Sequence, residues 1–116
     1  MPYNGNTLVV DFDDTLCIHP HDDKSNIACG KPNYDLISEI NRLFDKGFDI
    51  FIYTARGHFS ADNRAGAEHK YRNVIEVWLM EHSVSYTKLS FDKPYAVYYI
   101  DDKAIRPDEL YLLEKL

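Results

Sequence analysis

Leu8, Val9 and Val10 form a short apolar, β-branched run that stops abruptly at Asp11-Phe12-Asp13-Asp14. This is the pattern of a buried strand delivering charge at its carboxyl end, and it predicts a strand over residues 7–12. Residues 15–32 show no clear period and carry His19, Pro20, His21 and Gly30, which predicts an ordered loop or flap. Leu36, Ile37, Ile40, Leu43 and Phe44 then fall on one helical stripe, with Asn33 placed to cap it and Gly47 to end it, so a helix is predicted over 34–46. The aromatic and β-branched run from Phe48 to Tyr53 predicts the second strand, ending at Thr54-Ala55-Arg56-Gly57. After a polar stretch the stripe resumes at Tyr71, Val74, Ile75, Trp78 and Leu79, giving a helix over about 68–82. A weak strand is predicted over 86–89, and a strong one over Ala96-Val97-Tyr98-Tyr99-Ile100, ending in Asp101-Asp102. Pro107, with Asp108 and Glu109 behind it, suits the start of a last helix whose apolar side is Leu110, Leu112, Leu113 and Leu116.

Alternating strands and helices predict a three-layer α/β domain with a doubly wound parallel sheet, in which ligands bind beyond the carboxyl ends of the strands. The first strand ends at Asp11, the second at Thr54 and the fourth at Asp101-Asp102, so a parallel sheet would gather these residues on one rim. A chain of 116 residues has room for one layered core, and the expectation is a single domain over 1–116.

Composition narrows the function classes. Apolar residues at 45% and charged residues at 28% are ordinary for a folded domain. The net charge of −6 disfavours non-specific adhesion to nucleic acid or an acidic membrane. No apolar stretch approaches the roughly 20 residues that span a bilayer. Two cysteines, Cys17 and Cys29, and an N-terminus unlike a signal peptide predict a reducing, cytoplasmic location.

Asp11 and Asp13, one residue apart at a strand end, can face the same crevice while Phe12 turns to the core. With Asp101 and Asp102, four carboxylates would converge. Two like charges at ~4 Å repel by about 4 kcal/mol at an effective dielectric near 20, so the cluster needs a cation or protonation. Hard oxygen ligands without a Cys or His cluster point to magnesium, with Asp11, Asp13, Asp101 and Asp102 as the candidate metal ligands. A carboxylate attacking a phosphate faces the same repulsion, which a divalent ion and a lysine offset while a second acid protonates the departing oxygen. Asp13 is placed for that second role. Thr54 offers a hydroxyl to the phosphoryl oxygens, and Lys93, eight residues before Asp101, supplies positive charge.

These residues resemble the motifs of the haloacid dehalogenase superfamily of aspartyl-nucleophile phosphotransferases. Asp11-Phe12-Asp13-Asp14-Thr15 matches its Asp-x-Asp-x-Thr motif, Ile52-Tyr53-Thr54-Ala55-Arg56-Gly57 is similar to its second motif, and Lys93-Pro94 running into Tyr99-Ile100-Asp101-Asp102 resembles its lysine and acidic motifs. The resemblance spans essentially the whole chain. It implies a Rossmann-like fold, Asp11 as nucleophile, Asp13 as acid/base, and Asp101-Asp102 holding magnesium together with Asp11. Acid at the position of Asp13 goes with phosphatases and some mutases rather than dehalogenases. Larger members carry a cap domain, for which neither gap here has room, so a capless site is implied, covered at most by residues 15–32 or by a neighbouring subunit in a homo-oligomer. The expected reaction is hydrolysis of a small phosphate monoester such as a sugar phosphate or a nucleotide. Lys93-Pro94 is similar to small phosphatases of sugar and capsule metabolism, whereas Lys70-Tyr71-Arg72 through Trp78 resembles the phosphatase domains of polynucleotide end-repair enzymes, which would make the substrate a 3′-phosphorylated nucleic-acid end. A non-catalytic module resembling response-regulator receivers, which also gathers acids, Thr and Lys around magnesium, is the alternative from another class.

Other residues are weighed against plainer roles. Lys93 is preferred to Lys70 as the motif lysine, and Arg56 is a candidate for phosphate or leaving-group contact. His19 and His21, in a polar loop, read as exposed side chains rather than metal ligands. Cys17 and Cys29 read as packed or free thiols, and Trp78, Tyr71 and Tyr53 as core.

Overall fold

The computed structural model describes residues 5–20, 27, 30–56 and 64–116; His21, Cys29 and Gly57 lie outside them. The first apolar run forms strand β1 (Thr7–Asp11). The following segment carries two short strands, β2 (Cys17–Ile18) and β3 (Lys31–Pro32), paired antiparallel, so the expected loop is pinned at its base. Helix α1 (Tyr34–Asp45) starts where the Asn33 side chain accepts the Leu36 amide. It ends at Lys46, and Gly47, at φ 98°, lets the Phe48 amide turn back onto the Leu43 carbonyl. Strand β4 (Asp49–Tyr53), helix α2 (Arg64–Glu81) and strand β5 (Lys88–Ser90) follow. A short 3-10 helix, Leu110–Lys115, stands where a final α-helix was expected. Of its leucines Leu113 is buried and Leu110 packs against the core at partial burial, and two inward side chains anchor only a short element.

The main sheet is parallel in the order β1-β4-β5. Its register, Leu8 beside Ile50 and Val10 beside Ile52, and Ile52 beside Leu89, puts these apolar side chains on one face. They share a single buried core with Ile37, Ile40 and Leu43 of α1 and Ile75, Trp78 and Leu79 of α2. The opposite face carries Val9, Phe51 and Lys88 in the same register. Val9 is 60% exposed, and the Lys88 ammonium lies 4.5 Å from the centre of the Phe51 ring. This half-open face lacks, among the described residues, the third layer that the alternation predicts. The reason lies in residues 91–109, which contribute no strand or α-helix to cover it.

The predicted fourth strand is the main departure. Residues 96–100 form no strand, and Val97, Tyr98 and Ile100 are 89%, 82% and 100% exposed. Among the described residues β1 therefore pairs on one side only, with β4. No described helix is long and apolar enough to cross a membrane.

The pinned loop rests on a close approach. A methyl group added to Gly30 would stand 2.1 Å from the Cys17 sulfur and 3.2 Å from the Ile27 carbonyl oxygen, while the Gly30 carbonyl accepts the Trp78 indole N–H at 3.2 Å. Gly30→Ala is expected to destabilise the fold by about 1–3 kcal/mol, the usual cost of overpacking. Thermal unfolding followed by circular dichroism checks it, and an unchanged midpoint would contradict this packing.

Candidate functional site

The chain leaves β1 through a tight turn in which the Leu16 and Cys17 amides both reach the Phe12 carbonyl at 3.0 Å and the Asp14 amide reaches the Cys17 carbonyl at 2.8 Å. Asp14 takes φ 60°, a left-handed conformation that Asp tolerates better than most residues. Phe12 is wholly buried, its ring edge-on to Trp78 at 5.3 Å, and this fixes the opposite direction for its neighbours. Asn33 ties the turn to the start of α1 by donating to the Thr15 carbonyl, while its own amide reaches the Leu16 carbonyl.

Asp11 emerges held at both oxygens. Lys93 Nζ lies 2.8 Å from Oδ1 and the Thr15 hydroxyl donates to Oδ2 at 2.9 Å. The pair is mostly shielded from solvent, Lys93 more than Asp11, and such charge-assisted bonds are stronger than neutral ones. Lys93, not Lys70, is the lysine that reaches Asp11; Lys70 lies on α2 with its ammonium 5.2 Å from the Tyr71 ring centre.

Asp13 sits in a second knot of charge. Arg56 reaches it through Nη2 at 2.5 Å from Oδ1 and through Nε at 3.1 Å from Oδ2, and His19 Nε2 lies 2.7 Å from Oδ1. His19, expected to be exposed, has a fully buried side chain, and its backbone amide is held by Asp14 Oδ1 at 3.1 Å. Its Nδ1 is buried without a partner among the described residues. At 2.7 Å from a carboxylate oxygen, His19 Nε2 donates to Asp13. The signal for this burial was in the alternation after the turn: Cys17 points in, Ile18 out and His19 in.

Thr54 is wholly buried just past β4, its amide bonded to the Ser90 carbonyl and its hydroxyl accepting the Arg56 amide at 2.9 Å. That bond shapes the turn that aims Arg56 at Asp13. A hydroxyl that accepts can still donate. Burial, with the Asp13 carboxylate adding to it, pushes the Cys17 thiol up to about 12, so Cys17 stays protonated near neutral pH and plays the packed role expected of it.

Asp101 and Asp102 do not join this group. Asp101 Oδ1 accepts the Lys103 amide at 2.7 Å, and Asp102 is 87% exposed beside Lys103. Among the described residues no three Asp, Glu, His or Cys side chains are arranged to hold a metal ion. Magnesium wants several oxygen ligands, carboxylates among them. Asp11 is engaged by Lys93 and Asp13 by Arg56, and Asp101 and Asp102 stand apart from them.

Comparison with family models and with curated proteins found no match. A solved structure does match. It is the crystal structure of a structural-genomics target from Vibrio cholerae, 29% identical, with a TM-score of 0.80 over 95% of this chain and 94% of that one. The likeness extends over nearly the full length of both proteins and supports the mixed α/β architecture with its parallel sheet.

Proposed function

We propose that the chain is a phosphatase of the haloacid dehalogenase type that hydrolyses a small phosphate monoester, a sugar phosphate or a nucleotide, through an aspartyl-phosphate on Asp11. The observation that carries this reading is the pair of carboxylates at the carboxyl end of β1, with Lys93 on Asp11 and Arg56 and His19 on Asp13. Asp11 Oδ1 attacks phosphorus and the bond from phosphorus to the leaving oxygen breaks. Lys93, already at Asp11 Oδ1, offsets the charge that accumulates as the two anions meet.

An arriving phosphate dianion competes with Asp13 for the Arg56 guanidinium, whose planar fork suits phosphate as well as carboxylate. Arg56 thus binds the phosphoryl group while Asp13 is released. Freed of Arg56, Asp13 takes up a proton from solvent, delivers it to the leaving alcohol, and then takes one from the water that opens the aspartyl-phosphate. His19 holds Asp13 in place through Nε2, and Thr54 contributes its hydroxyl to the phosphoryl oxygens. Magnesium remains part of the proposal: Asp11, with Asp13, Asp101 and Asp102, would hold it, and it would supply counter-charge to the acids and the phosphoryl group.

A screen of phosphate release across sugar phosphates, nucleotides and 3′-phosphorylated oligonucleotides, each with and without chelator, tests the reading. Chelator-sensitive turnover of a small monoester is the expected result. Preference for oligonucleotide ends would move the substrate to nucleic acid. A persistent phospho-aspartate without phosphate release would mark a receiver-like module instead.

A further inference from the structure

From a sheet edge and a strand-forming segment that are both unpaired among the described residues, we infer that two copies of this chain exchange residues 96–100, each laying the segment parallel to β1 of its partner and bringing Asp101 and Asp102 to the partner's Asp11. The inference rests on the proposed function for its catalytic consequence, and on the structure alone for its geometry.

The first observation is the segment. Ala96-Val97-Tyr98-Tyr99-Ile100 is built of residues that favour strands, yet Val97, Tyr98 and Ile100 are almost entirely in solvent. Exposed apolar runs of this kind mark interaction surfaces. The second is the edge. β1 is paired only with β4 among the described residues and presents Val9 at 60% exposure, and an unguarded edge is a template for one more strand. Segment and edge match in length, since residues 96–100 and Thr7–Asp11 are five residues each.

The same chain is poorly placed to fill its own edge. Lys93 is fixed on Asp11 at the carboxyl end of β1, whereas a parallel strand must begin at the amino end, beside Thr7. β1 rises about 13 Å between those points. Three Cα steps from Lys93 to Ala96 reach at most about 11 Å, so within one chain the gap closes only with the Lys93 stem drawn out along β1 and the chain reversed through Pro94. A segment donated by a second copy carries no such tether. It must only straighten, giving up the bond from the Tyr99 hydroxyl to the Pro94 carbonyl and the contact of the Tyr99 ring with Lys93 at 4.3 Å.

Reciprocal exchange uses the same patch on both copies and so closes at a dimer. Aromatic side chains remove about 150–250 Å² each from water. Two docked segments with their covered edges therefore bury on the order of 1,200 Å² or more, within the range of specific interfaces. The exchange also accounts for the acids that one chain leaves apart. At the end of a strand parallel to β1, the partner's carboxylates come to the rim that holds Asp11.

Light scattering on the full chain should give a dimer mass, and Val97→Asp with Tyr98→Asp should give a monomer. Oxidation of the Val9→Cys, Tyr98→Cys double variant should yield a covalent dimer on a non-reducing gel, with neither single variant doing so. A monomer mass for the unmodified chain, or a cross-link that closes within one chain, would overturn the exchange. Neither readout depends on activity, so the exchange can fail while phosphatase activity stands, and the reverse. Where the unmodified protein releases phosphate, co-refolding Asp11→Asn chains with Asp101→Asn, Asp102→Asn chains should restore about one quarter of its activity. Half of randomly paired dimers are mixed and each mixed dimer has one intact site. A mixture no more active than its parts would count against the exchange.

Discussion

Replacing Asp11 with Asn is expected to lower phosphate release by about 10⁴–10⁶-fold, the scale on which loss of a nucleophile is felt. The amide keeps the size of the side chain and can still accept the Thr15 hydroxyl, so the turn after β1 should survive. What changes is the attacking atom and the partner of Lys93. A charge-assisted hydrogen bond contributes about 1.5–3 kcal/mol, and the pair is partly exposed, so the melting transition should fall by no more than several degrees. The two readouts separate the roles. Lost turnover with a retained cooperative transition supports Asp11 as nucleophile, and full turnover would refute it.

Asp13→Asn is expected to slow hydrolysis by about 10²–10⁴-fold, the usual range for a general acid-base group. The loss should depend on the leaving group. A substrate whose alcohol departs without protonation, such as a nitrophenyl phosphate, should lose far less than an alkyl phosphate. Equal losses on both would assign Asp13 to binding. This variant also disturbs the fold, because a carboxylate accepts from Arg56 and His19 together, whereas an amide turns an N–H toward one of them. A buried donor left unmatched costs about 1–3 kcal/mol, so stability must be measured alongside rate.

The contrast between β1 and residues 96–100 shows which parts of this protein can be read from local pattern. The strand ending in Asp11, the inward turn of Phe12, the Asn33 cap and the Gly47 stop each depend on residues within a few positions of one another, and each appears as expected. Lys93 reaches Asp11, as the order of motifs implied. Residues 96–100 have the composition of a strand, but strand composition records a preference for extended, half-buried chain and says nothing of whether an edge lies within reach in the same molecule. His19 departs from its expected exposure for a related reason. Its burial depends on Gly30 and Ile27 closing over Cys17, contacts made across the loop, and only the in-and-out alternation from Cys17 hinted at it.

The two rims of the sheet are not alike. β5 forms the far rim and carries Lys88, an exposed cation whose stem shields Phe51, and lysine at such a position discourages further strands from adding. The β1 rim presents Val9 with no comparable guard among the described residues. Growth by strand addition is thus permitted on one side and resisted on the other, which protects a protein with an adhesive segment from polymerising into fibres. Lys88→Val would remove that asymmetry, and its consequence would be read in turbidity rather than in turnover.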